Sequence, residues 1–486
     1  MLAAPSNLWE HRSATSLPRS GPHGHAQPSR CSASRPVSRP PVLLRRWRVG
    51  ALLAPLLLVL GLPAALGQTC PPLQPYYPAS NPAPPEEWQA RLPQLEALLE
   101  NCLQSAEYFA LLGAARLNSG QVPAAVESLE RALLLQPGHG AAQIDYAEAL
   151  YLSGQLFPAL ELNETVLGRS DLPPALRPVI EARQQFWRGQ TRRRQLSLEA
   201  TAGYDTNLNN APTRGDLTLT FGGTPVTLSV DPQFRPVEGR FGNLRAGGVW
   251  QWLTPDHQHD FTANLRGRFT GSGATALNQA QWRYGFSRPG RHTVWTANVG
   301  SSHMSFGGNA LYSVGETLLT LGWNSAGRCQ PALSGGLQTL HYHGQRVMDG
   351  LEASLTASLG CRSASGRQQL RVDAGGLDNS ASSANRPGGD RAGWNLRLGW
   401  QYQSGRHLWS ALYSHASVED QRGYSPLLAN GATRRLGNRV LLLRYQWGFA
   451  EGAALVLGLS HQAQSSNLQP FQNRGTATEV GLLLNF

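Results

Sequence analysis

Four cysteines offer the first chemistry this sequence could do. With Cys31 removed in an exported leader, Cys70, Cys102, Cys329 and Cys361 remain, and an even set of thiols in an exported chain suits disulfide formation in an oxidising compartment. Metal binding is the poorer account, because neither a CxxC pair nor clustered histidine accompanies them. Cys70 with Cys102 would staple the start of a helical segment. Cys329 and Cys361 either form a cross-strand disulfide or stay as two thiols, depending on whether their Cα atoms approach the roughly 5.5 to 6 Å such a bond prefers. Acid–base or nucleophilic chemistry has less support. His257 with Asp256 and Asp260, and His341 with His343, sit at strand ends or loops without a nucleophile or a third ligand at a telling spacing, as solvated loop residues do. No enzyme activity, cofactor or metal is expected.

A further set could act by charge alone. Arg245, Arg266, Arg268, Arg283, Arg371, Arg397 and Arg444, with Glu199, Glu352, Asp373 and Glu479, fall on the polar parity of alternating segments and would share one wall of a lumen. There they either brace the wall or steer an anionic or polar passenger. All 42 basic residues are Arg, which a GC-rich coding bias accounts for. The formal net charge of +11 is unevenly spread: residues 1–67 carry eight Arg and one Glu, 68–195 ten Arg and thirteen acids, and 196–486 twenty-four Arg and seventeen acids. Without the leader the chain is only mildly basic, which argues against a nucleic-acid partner.

The elements that must position these residues fall into three stretches. Residues 1–40 are rich in Pro, Ser, Arg and His without apolar periodicity, a disordered composition or untranslated sequence. Arg45, Arg46 and Arg48 precede an apolar run from Ala51 to Leu66, and Ala65-Leu66-Gly67 has the small-x-small form of a signal-peptidase site, so the mature chain is expected to start near Gln68. Pro55 and Pro63 interrupt the run, which is short for a membrane helix of about 20 residues. Gln68 and Thr69 separate Cys70 from the site, which argues against lipidation. The leader is long and the methionines are Met1, Met304 and Met348, which points to a non-Met start near Val42 or Leu43.

Residues 68–195 carry a repeat. Ser119-Gly120-Gln121 recurs 34 residues later as Ser153-Gly154-Gln155, the tetratricopeptide period. In the same register Ala115 matches Ala149, Ala125 matches Ala159, Glu127 matches Glu161 and Leu133 matches Leu167, giving the small and apolar positions that two antiparallel helices need. Pro137-Gly138 separates the two units, and 88–103 and 174–187 read as flanking helices. The segment is either a packed spacer or a concave surface for an extended client.

From Leu196 the period changes to two. Trp394, Leu396, Leu398, Trp400 and Tyr402 alternate with Asn395, Arg397, Gly399 and Gln401, and Leu351 to Leu359 alternates likewise. Segments of ten or more residues match membrane strands of about 9 to 11, whereas soluble strands average about 5 to 6. Fourteen are read: 196–205, 240–252, 258–270, 277–287, 291–305, 311–325, 329–342, 347–361, 367–377, 391–403, 406–419, 434–448, 452–465 and 474–486. Trp250, Trp252, Trp282, Trp295, Trp323, Trp394, Trp400, Trp409 and Trp447 fall mostly near segment ends, as aromatic girdles do. An even count returns both barrel ends to one side, with short turns there and long loops such as 206–239, 378–390 and 420–433 opposite. The fold class is therefore an N-terminal tetratricopeptide-like α-helical domain followed by a 14-stranded antiparallel transmembrane β-barrel at 196–486, closed by a strand ending in Phe486, the usual mark of a client of the barrel-assembly machinery. The expected location is the lipid bilayer of a Gram-negative outer membrane, with the helical domain in the periplasm.

The first strand and loop read Gly203-Tyr204-Asp205-Thr206-Asn207-Leu208-Asn209-Asn210-Ala211-Pro212. This resembles the start of the barrel in the surface lipoprotein assembly modifier family, the outer-membrane translocators of the type XI secretion system. The likeness extends to Gly423-Tyr424-Ser425-Pro426-Leu427-Leu428, to Arg434, Arg435 and Arg439, and to the closing SNLQPFQNR and Phe486. It implies export of a protein cargo, a surface lipoprotein or a secreted nutrient-binding protein, to the cell surface. Asp205, Asn207, Asn209 and Asn210 could also simply shape the loop. Two departures keep cargo identity out of the inheritance: few clear repeats, and an extra hairpin of 217–221 with 226–230 in the first loop. A polysaccharide-export porin with a tetratricopeptide domain and a passive porin are the competing functions.

Overall fold

The computed structural model describes residues 70–80, 83–325 and 327–486, so the expected leader and signal segment, 1–67, lies outside the described residues. Among the described residues, six α-helices come first: α1 (Pro85–Glu96), α2 (Ala106–Asn118), α3 (Val122–Leu135), α4 (Gly140–Leu152), α5 (Leu156–Leu167) and α6 (Arg177–Gln190). Ser105 caps α2 by accepting from the Tyr108 amide, and the His139 ring caps α4 by accepting from Ala142. Gly120 and Gly154 turn α2 into α3 and α4 into α5 at φ of +78° and +86°, a region where an L side chain is strained. The matched alanines Ala115, Ala125, Ala149 and Ala159 are all fully buried where the paired helices meet, while Glu127 and Glu161 face solvent. Close approach also explains Gly113, where an added Cβ would lie 2.5 Å from Leu129 Cγ. A disulfide joins Cys70 to Cys102 beside this core.

Sixteen strands follow: β1 (Arg192–Asp205), β2 (Asp216–Phe221), β3 (Thr224–Ser229), β4 (Gly239–Leu253), β5 (Gln258–Thr270), β6 (Leu277–Pro289), β7 (Thr293–Phe306), β8 (Asn309–Trp323), β9 (Cys329–Tyr342), β10 (Gly350–Arg362), β11 (Gln368–Ala381), β12 (Arg391–Ser404), β13 (His407–Gly423), β14 (Thr433–Ala450), β15 (Ala453–Ser466) and β16 (Asn473–Asn485). All but the β2–β3 hairpin form one closed antiparallel barrel of fourteen strands. Closure pairs β1 with β16 from Ser197 opposite Asn485 to Asp205 opposite Ala477, and Leu196 and Phe486 exchange backbone hydrogen bonds of 2.9 and 3.2 Å at its end. Among the described residues the barrel sheet has no open edge, as hydrocarbon surroundings would require.

The two faces of the strands differ in kind. Leu198, Leu244, Leu265, Leu319, Leu355 and Leu482 are 38–59% exposed and point outward. Toward the short-turn end the outward face becomes aromatic, with Trp252 stacked on His259 and Tyr402 on Trp409. The opposite parity carries the charges described below.

The strands correct the sequence reading at their margins. β1 starts at Arg192, ahead of the expected 196, and β13 runs to Gly423 rather than 419. Alternation fails at Asp420-Gln421-Arg422, where the β13–β14 register shifts between Glu419 and Gly423, and the stretch therefore read as loop. At the long-loop end one turn is short: Gly307 and Gly308 alone join β7 to β8. The predicted hairpin in the first long loop pairs Leu217 with Leu228 and Phe221 with Thr224.

Candidate functional site

The seam between the first and last strands brings lumenal charges together. Glu199 on β1 accepts from Arg245 on β4 and from Arg444 on β14, the latter reaching past β15 and β16. Side chains that far apart in the sheet meet only on its concave side, so this face is the lumen. Arg245 also donates to Glu479 on β16 at 3.1 and 3.2 Å, and Glu479 accepts from Asn243 at 2.7 Å and Thr201 at 2.8 Å. Four strands are thus tied by one network of charge-assisted bonds. Elsewhere on the wall Arg283 pairs with Glu316 at 2.6 Å, Arg371 with Asp373 at 2.8 Å, and Arg268 with Asp205 at 3.0 Å. Glu352 is held by Asn379 at 3.3 Å rather than by an arginine. Arg266 lies opposite Arg245 in register and Arg397 opposite Asp373, both without an ion pair among the described residues. Sequence reasoning missed Glu316, although its parity on β8 was a usable signal.

Above this network, the Gly203–Pro212 stretch folds on itself and onto its neighbours. Asp205 Oδ1 accepts from the Asn207 amide at 2.8 Å. Asn207 bonds both the amide and the carbonyl of Ala211, at 2.9 and 3.0 Å, and donates to the Arg474 carbonyl at 3.0 Å. Asn209 donates to the Arg235 carbonyl and accepts from the Val237 amide, so it ties the two ends of the long first loop. Asn210 adopts φ of +50° and accepts from Gln462 on β15 at 2.8 Å. A Cβ on Gly203 would lie 2.2 Å from the Thr478 carbonyl and 2.6 Å from Phe241, so only glycine fits there. Tyr204 points outward and Pro212 is half-buried. In this geometry the stretch fastens the outer end of the β1–β16 seam.

A second cluster at the same end was not anticipated. Asp420, almost fully buried, pairs with Arg434 at 3.0 Å and Arg391 at 3.2 Å. Arg434 lies over the rings of Tyr424 and Phe471, 4.4 and 4.6 Å from their centroids. Arg386 donates to Asn379 and to the Gly389 carbonyl, binding the 382–390 loop to the barrel. In the sequence, Arg434 stands out only through the resemblance, and Asp420 falls within the expected loop 420–433.

The remaining candidates separate. A disulfide joins Cys329 to Cys361, paired residues on the outward face of β9 and β10, with Cα atoms 4.0 Å apart. His257 packs on His259 and Phe286, outside any pairing with Asp256 or Asp260. His341 bonds Asp349 at 2.8 Å, and His343 meets Ser313 together with His303. Among the described residues no group of three or more such side chains could hold a metal ion.

In the helical segment, Asn163 is buried and donates to Gln184 at 2.8 Å while accepting from Arg183 at 2.9 Å. Trp187 stacks on Tyr151 at 4.8 Å and lies under the Arg183 guanidinium at 4.9 Å. Arg183 also reaches Glu148 at 3.5 Å. Beside it, burial and then Glu148 push the Asp145 carboxyl up to about 7, against the opposing pull of Arg183. Val179 and Phe186, 65% and 62% exposed, share a face of α6 and supply an apolar strip that the sequence did not single out. One residue then separates α6 from β1. Thr191 donates to the Arg188 carbonyl and accepts at 2.8 Å from the Leu253 amide at the foot of β4.

No protein-family model matches the chain, and comparison with curated proteins returns no match. Among solved structures, the barrel is similar to an anion-selective porin from Comamonas acidovorans, at 9% identity and TM-score 0.35 over 61% of this chain and 99% of that one. It is likewise similar to OmpT of Vibrio cholerae, at 9% identity and TM-score 0.34 over 61% of this chain and 98% of that one. The helical segment is similar to the Yersinia enterocolitica type III secretion chaperone SycD in complex with a peptide of the translocator YopD, at 17% identity and TM-score 0.20 over 22% of this chain and 82% of that one.

Proposed function

We propose that the chain is an outer-membrane translocator that delivers a specific protein cargo to the cell surface, its helical domain receiving cargo in the periplasm and its barrel conducting it. The observation that carries this reading is the junction: the repeats pass into β1 through Thr191 alone, at the barrel end where Phe486 also lies. A closed sheet with an outward belt of exposed leucines and an aromatic rim is the form a hydrocarbon layer favours, because every backbone group is paired and apolar surface faces lipid. The apolar strip of Val179 and Phe186 gives an extended client a place to bury side chains at the mouth. Mixed charges on the lumen wall suit transient contact with a polypeptide carrying both signs. A passive porin would leave the helical domain without a task. Phe486 serves as the signal read by the barrel-assembly machinery. Surface labelling of a protein encoded beside this gene, in cells with and without it, tests the proposal: loss of labelling without the gene is expected, and unchanged labelling would overturn it.

A further inference from the structure

At the short-turn end Arg192, Arg194 and Arg288 face outward singly among the aromatic residues, whereas at the long-loop end the outward arginines of the described strands gather on one side of the barrel, Asp378 on β11 being an outward acid elsewhere at that end. On contiguous strands β14, β15, β16, β1 and β4, the outward parity carries Arg435, Arg439, His461, Arg474 and Arg240, all exposed. Arg439 and Arg474 flank Ala463 in register, two strands apart, or about 10 Å at the usual strand spacing. Directly below Arg439 the outward positions turn apolar with Leu441 and Leu443, and below Arg474 they pass through Thr476 and Thr478 to Val480. The arginines therefore stand at the upper edge of the leucine belt. Two acids lie nearby: Glu419, paired with Arg435 at 2.8 Å, and Glu238 beside Tyr204. Arg240, Arg439 and Arg474 have no ion-pair partner among the described residues. On β5 through β12 the outward residues of this end include no arginine. Guanidinium groups at the edge of an apolar belt need a counter-charge at headgroup depth, and their fork geometry suits phosphate.

We infer that Arg240, Arg439 and Arg474, with Arg435 and His461 at the margin, form a binding site for the phosphates of an outer-leaflet glycolipid on the face that carries the β1–β16 seam. The inference rests on the membrane placement proposed above. The position of the site is informative: the lipid would lie across the one junction in the barrel that joins strands distant in sequence, and would hold that junction shut from outside while Glu199, Arg245 and Glu479 hold it from within.

The test uses the full chain folded in detergent, with diphosphoryl lipid A and phosphatidylglycerol as competing probes. The wild type is expected to prefer lipid A, and the double variant R439Q/R474Q to lose at least tenfold in lipid A affinity. R291Q/R406Q, in turns at the other end, is expected to bind as wild type does. Equal binding by R439Q/R474Q, or no preference of the wild type for lipid A over phosphatidylglycerol, overturns the inference. Should the double variant fail to give a heat-modifiable barrel, the wild-type preference alone decides. A wild-type chain that is not heat-modifiable and does not fractionate with membranes would instead overturn the membrane reading.

Discussion

Asp145, half-buried on α4, shows how a single group reports on the helical segment. Its carboxyl is held near 7 in the folded chain, against about 3.9 for an unfolded aspartate, chiefly by burial. The folded state thus keeps a proton that the unfolded state has lost, and the contribution to stability is complete below pH 4 and falls away as pH rises toward 7. Asp145→Asn should therefore raise the thermal midpoint of the 222 nm helical signal of the full chain at pH 8. The difference should vanish at pH 4. At this scale parity made much of the lumen legible: Glu199, Arg245, Arg444 and Glu479 alternate cleanly, and the structure joins them into one network. What parity could not give was partnership. Glu352 found an asparagine, and Asp420 with Arg434 stayed hidden because a register shift breaks the alternation just where they enter the lumen.

At the scale of elements, α6 is the piece on which the two halves depend. Its burial rests on Ile180, Gln184 and Trp187 against α4 and α5, with Trp187 the largest fully buried side chain of the segment. Trp187→Ala should cost about 3–5 kcal/mol by removing that volume and the stacking on Tyr151. The expected readout is a lowered and broadened helical unfolding transition with the heat-modifiable band of the barrel unchanged. An unchanged helical transition would mean that α6 is not anchored through this residue. The existence of the helix pairs and strands was legible because a 34-residue repeat and a period of two are strong signals. Their margins were not: Arg192, Arg193 and Arg194 give no apolar alternation, yet they pair with Trp252, Gln251 and Trp250 because β4 extends that far.

For the whole molecule the decisive feature is closure, since thirteen ladders are hairpin neighbours in sequence or follow one long loop and the fourteenth joins the ends of the barrel sequence. Assembly must therefore wait for β16, and Phe486 is the outward, 73% exposed residue that ends it. Phe486→Ala leaves the backbone bonds to Leu196 possible, so it should slow insertion without abolishing the final fold. Pulse-chase of heat-modifiable product is expected to show a several-fold slower appearance, and wild-type kinetics would remove the signal role of this side chain. Closure was legible from the even strand count, whereas the ties of Glu479 and Arg444 that reinforce it span 234 to 278 residues of sequence and leave no local trace. The single residue between α6 and β1 has a mechanical meaning as well. Thr191 is bonded to the last turn of α6 on one side and to Leu253 on the other, so the repeats meet the barrel through a hydrogen-bonded handle of one residue and not through a long linker. Under the proposed function, a client pulling on the repeats would pull first on β1, the strand whose other edge is the closing seam.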